Sequence, residues 1–224
     1  MNTLSNVGTR RGGNNPPTLD LPPVFSPENQ ELETGVSVRF ALDPNKQWYV
    51  LRITYNRIVK AYELLKKDKM EIYIPMHHVQ KTIHKKKKRV LEPLLPNIIF
   101  VYTTLEHIIQ FVKDNLNSTF INFYFDHCKQ DEFGKNPPLT VGYNDMMNFI
   151  NITSVDNDHI KVVTTEQCHY KSGDVVQIID GDFKGVTGRV ARISGQQRVV
   201  VELEGLCLVA TAYIPSGFLV KIEE

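Results

Sequence analysis

Cysteine is scarce here: Cys128, Cys168 and Cys207 are the only three in 224 residues, far apart and without a C-x-x-C pair. An odd number at such spacing supports neither a disulfide scaffold nor a Cys-rich zinc site, and a reducing cytoplasm is the expected compartment. Charge of one sign is missing as well. With 26 basic and 25 acidic residues the net charge is only +1, so the chain is not built to coat nucleic acid, and any basic function must be local. Long apolar runs are absent. The longest, residues 98–102, falls far short of the roughly 20 residues a membrane helix needs, so no membrane association is expected. Arg10 and Arg11 are followed by "GGNNPPT", where an export signal would carry an apolar stretch.

The signs of an enzyme are missing too. There is no G-x-S-x-G, and "DGDFKGVTGRV" at 180–190 is not a phosphate loop, because Lys184 precedes Gly185 and β-forming residues follow instead of a helix. His77 and His78 are adjacent, so on a strand they point to opposite faces; with His84, or with Asp126, His127 and Cys128, they make no metal or catalytic spacing. No cofactor, metal or catalytic residue is expected.

What the sequence does hold is enough apolar residue, 42%, for real cores, arranged in two parts. Half of the 12 prolines fall within the first 44 residues, and residues 1–46 read as a disordered Pro-rich tail. Order begins at "QWYVLRITY", a strand in which Trp48 and Val50 alternate with Tyr49, Leu51 and Ile53. Asn56 is placed to cap a helix in which Ile58, Ala61, Tyr62 and Leu65 share one face. "IYIPMHHVQK" and "KRVLEPL" then read as strands flanking a Lys-rich turn, and "NIIFVY" as another strand. "LEHIIQFVKDN" has Leu105, Ile108, Ile109 and Val112 at helical spacing, "STFINFYFD" is strand-like and "YNDMMNFINIT" is a short helix. Residues 47–153 thus form an α+β sandwich with a mainly antiparallel sheet. Residues 154–168 are polar and read as a linker. Residues 169–224 hold five short strands with glycine turns, a small closed or half-closed β-barrel in which the glycines serve turns and positive φ.

"GDVVQIIDGDFKGVTGRV" resembles the KOW motif, and "WYVLR" followed by a helix and "EPLLPNIIFVY" resembles the N-terminal domain of the NusG family of transcription factors. The resemblance spans about residues 47–224, and "EPLLPN" with "VVVELEGLCLVATAYI" is most similar to specialised UpxY-type antiterminators of capsular polysaccharide loci. It implies a monomeric, cytoplasmic, non-enzymatic factor that binds RNA polymerase and suppresses pausing or termination.

It also implies roles for particular residues. The polymerase's clamp helices would dock on Leu94, Leu95, Pro96, Asn97, Ile98 and Phe100, with Arg52 and Tyr55 lining the same depression; the bland alternative is that the segment fills the domain's own core, as one of Ile99 and Phe100 must, and Leu95 and Ile98, flanking the "PN" turn, are the residues expected to be exposed. Lys85, Lys86, Lys87, Lys88 and Arg89 would meet DNA phosphates in the elongation complex, where the bland alternative is a solvated loop. Phe183, Lys184 and Gly185 would form the KOW partner surface toward Rho or a ribosomal protein, the alternative for Phe183 being a ring folded onto its own barrel. The stretch Ile109, Gln110, Phe111 departs from the family's second polymerase contact. A KOW-type RNA- or ribosome-binding protein is the competing function, and the apolar "LLPNI" surface separates the two, since RNA binding gains nothing from it.

Overall fold

A computed structural model describes residues 40–83, 85–114 and 119–222. The expected Pro-rich tail lies outside the described residues as far as position 39. β1 (Gln47–Ile53) sets the frame: Trp48 and Val50 enter one apolar cluster, and Tyr49, Leu51 and Ile53 enter another. A strand apolar on both faces needs cover on both sides. It pairs antiparallel with β5 (Ile98–Thr103), β6 (Ile121–Phe123) and the short β7 (Thr140–Val141), while β2 (Glu71–Tyr73) lies beyond β5.

One face of this sheet is covered by two helices. α1 (Ile58–Lys67) buries Ile58, Ala61, Tyr62 and Leu65, the four residues its spacing singled out. Its N-cap is Arg57 rather than Asn56; Asn56 has φ 53° and no side-chain cap bond forms. α2 (Leu105–Asp114) buries Ile108 and Phe111, whereas Leu105, expected on the apolar face, is exposed. The expected strand "IYIPMHHVQK" is divided into β2 and β3 (Met76–Ile83). β3 and β4 (Lys86–Pro93) form a separate two-stranded hairpin.

The opposite face is covered by α3 (Tyr143–Thr153) through a chain of rings. Phe149 lies 5.4 Å from Phe100 and 6.3 Å from Tyr73, and Tyr143 lies 6.1 Å from Tyr102. Phe40, placed by the sequence in the tail, is buried edge-on against Trp48 at 4.9 Å, and its carbonyl accepts a hydrogen bond from the Tyr143 hydroxyl. Packing therefore starts before residue 47, because the indole needs a partner on this side.

The second sheet is antiparallel, in the order β13 (Leu219–Lys221), β9 (His169–Ile178), β10 (Thr187–Ile193), β11 (Gln196–Leu203), β12 (Cys207–Ala210), β8 (Lys161–Val163). β8 comes from the segment read as a linker: Val163 is buried, and the strand pairs with β12. The five strands expected within 169–224 are all present, β8 adds a sixth, and no pairing among the described residues joins the sheet's two ends into a closed barrel. α3 is a wall common to both sheets. Its Met146, Met147, Phe149 and Ile150 share a cluster with Trp48 and Phe100 on one side and with Val199, Val201 and Val209 on the other. Asn148 Oδ1 accepts the Thr187 N–H at 3.0 Å across that junction.

Candidate functional site

Three regions carry the residues singled out from the sequence. The first is the end of β1 and the turn before β5. Arg52 pairs in register with Ile98, and the Asn97 carbonyl accepts the Ile53 N–H at 2.8 Å, with Asn97 itself at φ 63°. Arg52, Tyr55, Pro96 and Asn97 are exposed, and the Arg57 guanidinium lies 5.8 Å from the Tyr55 ring centroid. Leu94 is half-buried. Leu95 and Ile98, expected to be exposed, are each only 8% exposed, and Phe100 is fully buried. All three belong to the cluster that α3 and the second sheet share. Position beside a turn suggested exposure; membership of a cluster whose other residues run from Phe40 to Ile214 removes it.

The second region is the hairpin. The sequence placed Lys88 and Arg89 at the start of a strand and the preceding lysines in the turn; β4 begins earlier, so Lys86 and Lys87 join Lys88 and Arg89 in it, and only Lys85, at φ 63°, is a described turn residue. All five are exposed. Residues opposite one another in an antiparallel pair share a face, so the register, Gln80 against Arg89 and Lys81 against Lys88, divides the run. Lys87 and Arg89 share a face with His78, while Lys86 and Lys88 share the other with Lys81. Arg89 Nη2 reaches Asp156 Oδ1 at 2.8 Å and Asp158 Oδ1 at 3.1 Å, and His78 Nδ1 lies 2.9 Å from Asp156 Oδ1. The hydrogen bond with His78 and the nearby Arg89 hold the Asp156 carboxyl below its ordinary range. On the other face Lys81 pairs with Glu92. His77 sits in register with Glu92, and burial lowers its pKa. Nothing local in "SVDNDH" marked Asp156 and Asp158 as partners of the hairpin.

The third region is the loop between β9 and β10. Phe183 is buried, 4% exposed, inside the shared cluster. It is therefore a core residue, the folded-back alternative, and not the contact at a loop tip. Lys184 is exposed. The loop is closed by Gly185 N–H to the Ile178 carbonyl at 2.7 Å, with φ +89° at Gly185 and +82° at Gly181. The glycines make a turn, as the spacing implied. At Gly188 the reason is different: a Cβ there would come within 2.5 Å of the Val200 carbonyl oxygen.

No group of three or more His, Cys, Asp or Glu that could hold a metal is found among the described residues. Nor is any helix among them long and apolar enough to cross a membrane. Ile109, Gln110 and Phe111 lie in α2, where Phe111 is a core residue.

Comparison with known families bears on the same regions. Residues 46–123 match the profile described as transcription termination factor nusG, and residues 172–202 match the KOW motif. The two matches follow one another along the chain in that order. This order of matches supports the NusG family, whose members are non-enzymatic transcription factors. The NusG match takes in β1 through β6 with the hairpin, and the KOW match takes in β9 to β11 with the glycine loop. No curated protein matches the sequence. Among solved structures, one of Thermotoga maritima NusG, titled for its domain interaction, is 19% identical over 80% of this chain and 98% of that chain, with a TM-score of 0.41.

Proposed function

We propose that this protein is a specialised, UpxY-like transcription elongation or antitermination factor that docks on the clamp helices of RNA polymerase and opposes pausing or termination at a polysaccharide locus. The observation that carries this reading is the NusG match over 46–123 followed by the KOW match over 172–202. The mechanism is mechanical and requires no cofactor. The region around 94–100 grips the polymerase, the hairpin lysines lie against DNA phosphates, and the KOW sheet, through Lys184 and Gly185, meets Rho or a ribosomal protein. The factor acts in the cytoplasm as a monomer.

The burial of Leu95 and Ile98 divides docking into two physical cases. Arg52, Tyr55, Pro96 and Asn97 are open to a partner at once, whereas Leu95 and Ile98 bury new area against a partner only after their present cover parts. Binding of the full chain to a reconstituted bacterial elongation complex tests both, comparing Arg52→Glu, a surface change, with Leu95→Ala plus Ile98→Ala, each checked for folding by near-UV circular dichroism. Weakened binding by either folded variant, with loss of pause suppression, supports clamp docking. Wild type that fails to bind, or binding indifferent to both changes, removes it and leaves structured RNA as the leading target.

A further inference from the structure

Among the described residues, the hairpin of β3 and β4 pairs with no other strand. An isolated two-stranded hairpin is marginal in water, so what holds its free length matters. At its root, the Leu94 N–H donates to the Pro75 carbonyl at 2.8 Å. Farther along, it is held by the segment that follows α3: Asp156 takes both Arg89 and His78, and Asp158 takes Arg89 again. The two carboxylates lie against the face that carries Lys87 and Arg89, so two negative charges meet the two permanent positive charges of that face. The lysines of the other face, Lys86 and Lys88, stand away from them.

The groups in this contact are half exposed: side-chain exposure is 48% for Arg89, 47% for Asp156 and 65% for Asp158. A single exposed ion pair shifts an equilibrium by roughly one- to fivefold. Such a contact is strong enough to bias the hairpin and weak enough to be displaced by a ligand with several negative charges. A nucleic-acid backbone is such a ligand, and the guanidinium is the side chain best shaped for its phosphates.

We propose that Asp156 and Asp158 form an electrostatic latch on the basic hairpin: they occupy the Arg89 guanidinium that a nucleic-acid phosphate would take, so the latch and the polyphosphate compete for one face. The inference rests on the reading of the hairpin as a nucleic-acid contact. Competition is reciprocal, so nucleic acid on the hairpin frees the segment between α3 and β8, the covalent link between the two sheets. Contact with nucleic acid is thereby coupled to the hold on that link.

The test is binding of the full chain to a short fluorescent duplex DNA across a salt series, with wild type, Asp156→Asn plus Asp158→Asn, and a charge-matched control, Glu63→Gln plus Glu132→Gln, at exposed sites elsewhere. The latch predicts about three- to tenfold tighter binding by the Asp156/Asp158 variant at low salt. It also predicts a log–log salt slope steeper by about one, as for one added phosphate contact. The control should change affinity less than about twofold, and Arg89→Ala should abolish the difference between the latch variant and wild type. An equal gain in the control, or a gain that survives Arg89→Ala, overturns the latch. Wild-type binding that depends on Lys86 and Lys88 but ignores the Asp156/Asp158 change sinks the latch alone. Absence of any lysine-dependent DNA binding sinks the hairpin reading and the latch together.

Discussion

The ring of Phe149 on α3 lies 5.4 Å from the ring of Phe100 on β5, tilted by 53°, and this pair joins the strand proposed for docking to the helix that both sheets share. Both rings are fully buried. Either Phe→Ala change should cost about 3–5 kcal/mol. The double variant should fall short of the sum by about 0.5–1.5 kcal/mol, the coupling of an aromatic pair. Urea denaturation of the two single variants and the double variant measures this directly, and strict additivity would show that the rings do not sense each other.

Arg198 is a buried cation held by carbonyls. Its Nη1 donates to the His159 carbonyl at 2.7 Å and to the Thr211 carbonyl at 2.9 Å, and its Nη2 donates to Gln196 Oε1 at 2.9 Å. Arg198→Ala leaves these acceptors without their donor and should cost at least about 2–3 kcal/mol. Arg198→Lys cannot span the fork and should recover less than half of that. Chemical denaturation settles the order; a lysine variant as stable as wild type would mean that charge matters here and the fork does not.

Two glycines should respond differently to alanine. At Gly188 the new Cβ would lie 2.5 Å from the Val200 carbonyl oxygen and 2.8 Å from Val199 Cγ1, and the backbone atom cannot yield without shifting β11. At Gly195 the space is open but φ is +78°, a strain of about 1 kcal/mol. Thermal unfolding should therefore show Gly188→Ala as much the more damaging, and the reverse order would contradict the close approach of β10 and β11.

The thiols should divide by environment. Cys128 is exposed, Cys168 is buried with its pKa raised by desolvation, and desolvation pushes Cys207 up to about 12. At pH 8 only about one in ten thousand Cys207 side chains would be thiolate. Labelling of the native protein with a maleimide should be rapid at Cys128 and slow at the other two, becoming equal in denaturant. Fast native labelling of Cys207 would refute the assigned environment.

Acid should open the contact between Asp156 and the hairpin. The Asp156 pKa is lowered in the fold, chiefly by its hydrogen bond with His78, so its stabilising contribution is fully present above the ordinary carboxyl value of 3.8. The contribution is lost as pH falls through the lowered folded value. Amide shifts of residues 156–158 and of β4, followed by NMR, should move together in that acid range. Movement complete before pH 4 would mean that Asp156 is not held by these partners.

What was legible in the sequence followed from local pattern. The two-faced apolar strand β1 and the four buried residues of α1 repeat at the spacing of their elements, and positive φ at Gly181 and Gly185 follows from turn chemistry. What was not legible depends on distant partners. Leu95 and Ile98 sit beside a turn, where exposure is the natural expectation, yet they are covered within a cluster drawn from both ends of the described chain. In the same way, the polar stretch at 154–160 carried no periodic signal, because Asp156 and Asp158 act through charges 67 and 69 residues away.

The shared wall made by α3 also orders events during synthesis. The helix and the sheet before it leave the ribosome first, while β11, which covers the helix's far side, follows about 50 residues later, roughly 3 to 10 s at ordinary elongation rates. For that interval Met146, Met147 and Ile150 have no second sheet to pack against. The nascent chain must carry a finished first sheet beneath a helix whose outer side is still wet, and rare codons between 153 and 200 would lengthen that exposure without changing a single residue of the product.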